Sequence, residues 1–403
     1  MRILVLSQYF WPENFIINDI VQTLSEQGHS VVVATGKPNY PDGEVYDGYR
    51  AGGTLRELYQ NDIDVVRVPL WPRGQGGSVN LIINYLSFVM SGLFYLPWML
   101  KGRRFDAILV FAPSPITQAI PAILLKWLKK AKLVLWVQDL WPESLSATGF
   151  IKKPYLLNIV GCIVRVIYCC CDKLLVQSRA FVEPMLRYAC RDKIFYYPNS
   201  IRVSESKADI TIPQDLSELL EQYFCVVFAG NLGTAQALDT VIQAARLLRD
   251  DAEIRLVLVG SGSRLSWLKA QCKELGLSNL VLPGRFPLEL MPAIFERSSA
   301  LLVSLNDEEI FAQTIPSKIQ AYLAAGRPII ASINGEGARV VLEAGAGLVS
   351  AAEQVMPLVD NIRCLKRLDS VERNALGNSG KEYFYKNFEM GIRVKDLVQI
   401  LAD

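Results

Sequence analysis

"RILVLSQYFWPENFIINDIVQTLSEQGHSVVVAT", Arg2 to Thr35, holds the fold in outline. Ile3 to Leu6 is a short apolar run suited to a buried strand, and Phe15 to Gln27 carries its apolar residues at helical spacing. Val31 to Ala34 is a second buried strand, so the stretch opens a doubly wound sheet. Further strands are expected at Val65 to Val68, Ala107 to Phe111, Leu133 to Val137 and Lys173 to Val176, with helical stretches between them. That rhythm predicts a mostly parallel, Rossmann-like sheet.

The polar segment "IRVSESKADITIPQDL", from Ile201, has no period and reads as a linker. After it "CVVFAG", "IRLVLVG", "LVLPG" and "ALLVSL" restart the alternation. The expected layout is an α/β chain with a first Rossmann-like domain over 1–200 and a linker over 201–222. A second such domain spans 223–380, facing the first across a cleft, and a helical tail runs over 381–403.

Composition excludes several classes. The 403 residues carry a net charge of only +2 without a long basic run, which argues against nucleic acid. The chain has one histidine, His29, placed just before a strand, so neither a Ser-His-Asp nor a Cys-His triad can be built without it. Eight cysteines without a Cys-x-x-Cys pair suggest reduced thiols rather than a zinc site. The opening residues read as a strand rather than a signal peptide, so a cytoplasmic protein is expected.

One segment complicates this. "LIINYLSFVMSGLFYLPWML", Leu81 to Leu100, is almost uncharged and of spanning length, with Arg73 before it and Lys101, Arg103 and Arg104 after it. It fits a helix dipping into a membrane surface, a buried core helix or a span, although Asn84, Ser87, Ser91, Gly92 and Pro97 weaken the last. A second apolar stretch, Tyr155 to Cys171, adds to the case for a lipid-facing side.

Candidate ligand contacts lie in loops after strands, where open α/β sheets bind ligands. "GNLGTAQ" supplies Gly230, Asn231, Gly233 and Gln236, and "GSGSR" supplies Gly260, Gly262 and Arg264. Small residues there let a diphosphate or sugar approach the backbone, while the missing G-x-G-x-x-G spacing argues against a nicotinamide cofactor. In "TIPSKIQAYLAAGRPII", Thr314 to Ile330, Pro316 suits a first helical turn, Ser317 a cap and Gly326 a left-handed stop. Such a helix start collects anions, and Lys318 adds a mobile positive charge. Arg285 is a second cation for that role. In the first half, "WVQDLWPES" places Asp139 and Glu143 after a buried strand, two carboxylates fit for base or hydroxyl-orienting work.

"SQYFWPENF", "GKPNYPDG", "VQDLWPESL", "GNLGTAQALD" and "TIPSKIQAYLAAGRPII" together resemble, in order and over nearly the whole chain, the retaining glycosyltransferases of family 4 with the GT-B fold. Within that family the likeness is to the bacterial subgroup that builds O-antigen and capsule units, including the L-fucosamine transferases. The resemblance implies a UDP-sugar donor held by the second domain and a lipid-linked sugar acceptor approached by the first. It also implies that the terminal helix over 381–403 crosses back to the first domain. With the apolar segment Leu81 to Leu100, a peripheral place on the inner face of the cytoplasmic membrane is expected. Asp139, Lys318 and, less directly, Glu309 are then the expected catalytic residues. Gly230, Asn231, Gly233, Gln236, Gly260, Gly262, Arg264, Arg285, Thr314, Ser317 and Gln320 are expected on the donor, and Asn14, Asn39, Tyr40 and Glu143 on the acceptor side. No metal and no cofactor beyond the donor is expected.

The chain departs from the family at several points. The two glutamates that the family carries with seven residues between them correspond to Gln313 and Ala321. Asn231 and Gln236 occupy the stretch where an Arg/Lys pair usually grips the diphosphate, and Gln138 replaces a frequent histidine. A nucleotide-sugar 2-epimerase and a non-catalytic nucleotide-sugar-binding partner are the rival readings.

Overall fold

The structure is a computed structural model that describes residues 1–74, 77–147, 150–151, 153–203 and 212–403. The chain divides into two compact units, Met1–Ser200 with Met390–Asp403, and Ile201–Glu389.

The first unit is built on eight strands: β1 (Arg2–Leu6), β2 (Ser30–Thr35), β3 (Leu55–Tyr59), β4 (Ile63–Arg67), β5 (Ala107–Ala112), β6 (Lys132–Val137), β7 (Lys173–Val176) and β8 (Ile194–Tyr196). Their order in the sheet is β3-β4-β2-β1-β5-β6-β7-β8. Only β3 runs antiparallel, against β4. β1 and β5 are buried on both faces, which is why they read as unbroken apolar runs. Sequence reading misses β3 and β8. β3 is an edge strand whose exposed and covered residues alternate, so "LRELY" has no apolar run to notice. Helix α1 (Ile16–Glu26) covers one face through Ile17, Ile20, Val21 and Leu24.

Helix α2 (Ser78–Met99) contains most of the long apolar segment. Asn84, Phe88, Val89 and Leu96 are buried at helical spacing against the unit, and Gly92 leaves room for Pro121, whose Cγ would lie 2.7 Å from an added Cβ. Asn84 is satisfied inside: it accepts from Gln8 Nε2 at 2.7 Å and donates to the Trp71 carbonyl at 2.5 Å. The opposite face stays apolar and uncovered, with Met90, Phe94 and Trp98 at 65%, 75% and 69% exposure. This is not a buried core helix. α2 has the length and composition to cross a membrane, yet one whole face is committed to the unit's core. Helices α3 (Ile120–Lys129), α4 (Glu143–Ala147) and α5 (Pro154–Cys170) follow. Trp127 of α3 and Tyr155, Ile159 and Val166 of α5 are also exposed. An apolar groove of about 600 Å³ opens among α2, α3 and α5.

The second unit carries β9 (Phe224–Ala229), β10 (Ile254–Val259), β11 (Leu280–Gly284), β12 (Ala300–Ser304), β13 (Ile329–Ser332) and β14 (Gly347–Ser350), ordered β11-β10-β9-β12-β13-β14 and all parallel. The segment read as a linker over 201–222 is in part helical, at Gln214–Gln222, while 204–211 lie outside the described residues. The tail read as one helix is two. Ser370–Asn387, with a capping box at Asp369 and Glu372, belongs to the second unit. Met390–Ala402 belongs to the first, where Val394, Leu397 and Leu401 join the core under α1.

Candidate functional site

In the second unit a cavity of about 910 Å³ opens where several strands end. Gly230 follows β9, Gly260 follows β10, Arg285 follows β11, and the helix Ser317–Ala325 presents its first turn. The glycines are steric requirements. Gly260 has φ +146°, and a Cβ there would lie 1.9 Å from the Gly230 carbonyl oxygen. A Cβ on Gly230 would meet Lys318 Cε at 2.6 Å. The loop glycines therefore let two loops pack together and leave a slot for the lysine stem. Gly262 likewise faces Leu232 backbone, and Gly233, in extended backbone at φ −104°, touches the Asn231 side chain.

Lys318 lies across that loop. Its Nζ donates to Gln236 Oε1 at 2.8 Å and sits 4.5 Å from the centre of the Phe228 ring. No carboxylate pairs with it among the described residues, and its surroundings push its pKa down to about 8. Pro316, not Ser317, is the N-cap, and no side chain caps this helix. The capping role expected of Ser317 is thus corrected: Ser317 is the first helical residue, and the first-turn N–H groups are left for a ligand. Tyr322 of the same helix is buried and accepts the Ala229 N–H at 2.9 Å, fixing helix to strand.

Other expected donor residues stand elsewhere. Arg264 is paired with Asp239 and stacked 3.6 Å from the Trp267 ring centre, so its charge is already engaged. Gln320 is buried within the helix, Glu309 is exposed and accepts from Gln313 at 3.3 Å, and neither they nor Thr314 line the cavity. Arg285 lines it, exposed and without an ion pair among the described residues. The lining also includes Phe286, Lys381 and Glu296, which sequence reading misses, and Ala321, where the family carries its second glutamate. Phe228 is missed too, because a phenylalanine inside a buried strand gives no sign that its ring will face a lysine.

The first unit places a second set of groups after β1, β5 and β6. Asp139 sits in a recess whose low polarity pushes its carboxyl up to about 6, opposed by a hydrogen bond from Ser114, while the side chain remains open to water. Ser114 also reaches Tyr85, and Tyr85 reaches Tyr9. Glu143 does not join Asp139. It faces Tyr168, Tyr188 and Arg187, so the two carboxylates do not act as a pair. Asn39 is fully buried, accepting from Arg73 N at 3.2 Å and donating to the Lys37 carbonyl at 2.9 Å. It is a brace, whereas Tyr40 and Asn14 are exposed. Glu13, passed over in the sequence, is the hub of this loop. Its buried carboxylate accepts the N–H groups of Phe10, Asn39 and Tyr40 at 3.1, 2.8 and 2.8 Å, and burial still pushes it up to about 7.

The expectation of no metal rests in part on the absence of an Asp-x-Asp pattern, and that ground is wrong: Asp62-Ile63-Asp64 is such a triplet. Asp62 accepts from Ser25 at 2.9 Å and Asp64 is paired with Arg103, so both carboxylates are committed within the fold.

Comparison with known proteins agrees with this geometry. Residues 14–200 match the glycosyl transferase 4-like domain, and residues 214–383 match glycosyl transferases group 1. A putative colanic acid biosynthesis glycosyl transferase of Escherichia coli (strain K12) is 26% identical over 342 residues, covering 81% of this chain and 82% of that protein. A probable glycosyltransferase of Pseudomonas aeruginosa is 24% identical over 314 residues, covering 73% and 74%. Among solved structures, Anabaena HepE in complex with UDP aligns over the whole of both chains with a TM-score of 0.69 at 15% identity. Sucrose-phosphate synthase from Thermosynechococcus elongatus aligns over 99% of this chain and 98% of its own with a TM-score of 0.70 at 14% identity.

Proposed function

The chain belongs to the GT-B glycosyltransferases, and from that premise we propose that it moves an amino sugar from a UDP-sugar to a lipid-diphosphate-linked sugar. The observation that carries the donor half is Lys318, a lysine with no carboxylate partner among the described residues, lying over a glycine loop at an uncapped helix start. A solved structure of the same fold holds UDP. As the sugar–phosphate bond breaks, negative charge grows on the leaving UDP. Preorganised N–H groups, Lys318 and Arg285 stabilise that charge more in the transition state than before it. The reaction proceeds with retention, the acceptor hydroxyl giving its proton to the departing phosphate on the same face, which needs no histidine. N-acetyl-L-fucosamine is the sugar that the subgroup resemblance favours, in O-antigen or capsule assembly.

Glu296 takes the ribose hydroxyls in place of the glutamate missing at Ala321. Glu296→Gln is expected to raise the KM for UDP-sugar by about tenfold with little change in kcat, the loss of one charge-assisted hydrogen bond. An unchanged KM would remove Glu296 from the site.

Asp139 orients the acceptor hydroxyl in its ionised form. Since its pKa is raised to about 6, the ionised fraction falls as pH drops through that value. Transfer should therefore decline below pH about 6 in the wild type, and Asp139→Asn should be slower by roughly tenfold or more and lose that acid limb. An acid limb that persists in the variant would assign it to another group.

The apolar face of α2, extended by α3 and α5 and bordered by Lys101, Arg104 and Lys153, is proposed to rest on an anionic membrane surface. Met90→Glu with Phe94→Glu should abolish sedimentation with phosphatidylglycerol vesicles and leave UDP binding intact. Unchanged sedimentation would contradict the surface.

The decisive assay for the activity follows UDP release from UDP-sugar with and without a GlcNAc-diphospho-lipid. An epimerase would convert free UDP-sugar without acceptor, and a binding partner would leave it intact.

A further inference from the structure

Two arginines of the first unit reach the loops after β1 and β2, and only one is spent. Arg67 is fully buried, paired with Glu57, donating to the Gly36 carbonyl at 3.0 Å and to the Trp11 carbonyl, and lying 5.0 Å from the Tyr49 ring centre. Arg73 has no ion pair among the described residues. Its guanidinium carbon lies 5.1 Å from the Tyr40 ring centre and 5.9 Å from that of Tyr9. Those rings are themselves 5.7 Å apart and pack on Phe15 at 5.3 Å each. The result is an aromatic platform carrying a cation whose guanidinium makes no hydrogen bond or ion pair among the described residues.

The backbone beneath this cation is pinned. Arg73 N donates to Asn39 Oδ1 at 3.2 Å, Trp71 N donates to Ser87 Oγ at 2.8 Å, and Asn84 holds the Trp71 carbonyl. Buried asparagines and a loop tied to α2 are a costly way to place a half-buried arginine unless its position matters. The platform also leads to Asp139. Tyr9 reaches Tyr85, Tyr85 reaches Ser114, and Ser114 bonds Asp139.

We infer that Arg73 is the phosphoryl anchor of an acceptor subsite, holding the diphosphate of an isoprenoid-type lipid carrier so that the attached sugar meets Asp139. This rests on the lipid-diphosphate acceptor proposed above. The chemistry suits arginine: a planar fork can bond two phosphate oxygens while its face stays on the tyrosine rings, which an ammonium cannot do equally well. The placement suits a lipid carrier as well. Arg73 stands just before α2, whose uncovered face offers an apolar surface to the chain that follows the phosphates.

The test is calorimetric binding of farnesyl diphosphate, farnesol and UDP to the full chain and to Arg73→Ala, Arg73→Gln and Arg73→Lys. Expected is a loss of farnesyl diphosphate affinity of about tenfold or more in Arg73→Ala and Arg73→Gln, the effect of removing a charge-assisted bidentate contact. Arg73→Lys should retain part of it, and UDP and farnesol should bind as in the wild type. The glutamine variant keeps a stem over the rings and carries the test should the alanine variant misfold. Equal farnesyl diphosphate affinity in wild type and variants would overturn the subsite. So would a wild type that ignores farnesyl diphosphate, or an Arg73 effect on UDP instead. A chain that binds farnesyl diphosphate through Arg73 but neither binds UDP nor transfers sugar would leave the subsite standing and sink the donor reading.

Discussion

Lys318→Ala should lower kcat by about 10²- to 10³-fold, the range found when one preorganised donor to a developing anion is removed. Donor affinity should fall less, because the lysine's greatest interaction is with charge that appears only as the bond to UDP breaks. Two features of the free site sharpen this expectation. The ammonium is matched by an amide oxygen and a ring face rather than a carboxylate, so its full charge is available to a phosphate. Its pKa is lowered to about 8, so the free protein loses that charge as pH rises through 8. A bound diphosphate restores it. UDP binding near pH 8 should accordingly take up protons, and near pH 6, where Lys318 is already protonated, it should not. Calorimetry in buffers of different ionisation enthalpy reads this directly, and Lys318→Ala should abolish the uptake. An alanine variant with wild-type kcat would remove the lysine from the chemistry.

Gly260→Ala should be the most damaging single methyl in the second unit. The backbone is at φ +146°, a region that L side chains rarely adopt, and the new Cβ would lie 1.9 Å from the Gly230 carbonyl oxygen. Neither partner is a side chain that can turn aside. We expect a cost of roughly 3 kcal/mol or more, lowering the unit's thermal midpoint by about 6–12 °C, together with loss of UDP binding because the loop beneath Lys318 must shift. Gly276→Ala is the control. It also has a positive φ, +62°, but meets nothing within 4 Å, so only the left-handed penalty of about 1 kcal/mol applies. Equal midpoints for the two variants, by calorimetry, would show that the loops do not pack as described.

The parts of the fold that could be read from sequence are those whose signal is local. Buried parallel strands such as β1 and β5 are apolar throughout, and α1 has a clean helical period. β3 and β14 could not be read so. The first alternates at a sheet edge, and the second is four residues containing Gly347, held by pairing to β13 rather than by its own composition. The same division runs through the site. Lys318, Gly230 and Gly260 were legible because a lysine at a helix start and glycines after strands have a physical use that spacing alone suggests. Arg264 had the same credentials, but its charge was claimed by Asp239, a residue 25 positions away that no loop pattern points to. Glu143 shared a motif with Asp139, yet helix α4 carries it toward Arg187 and Tyr168. Glu13 was missed for the opposite reason: its role is to gather three backbone N–H groups from two loops, which exists only once both loops are folded.

The most direct test of the central claim is the mass of a GlcNAc-diphospho-lipid after incubation with the chain and UDP-N-acetyl-L-fucosamine, beside Lys318→Ala. The account predicts a gain of one amino-sugar residue on the lipid with release of UDP, suppressed at least a hundredfold or so in the variant. Unmodified lipid with the wild type across a panel of UDP-sugars, or equal product from Lys318→Ala, would contradict it.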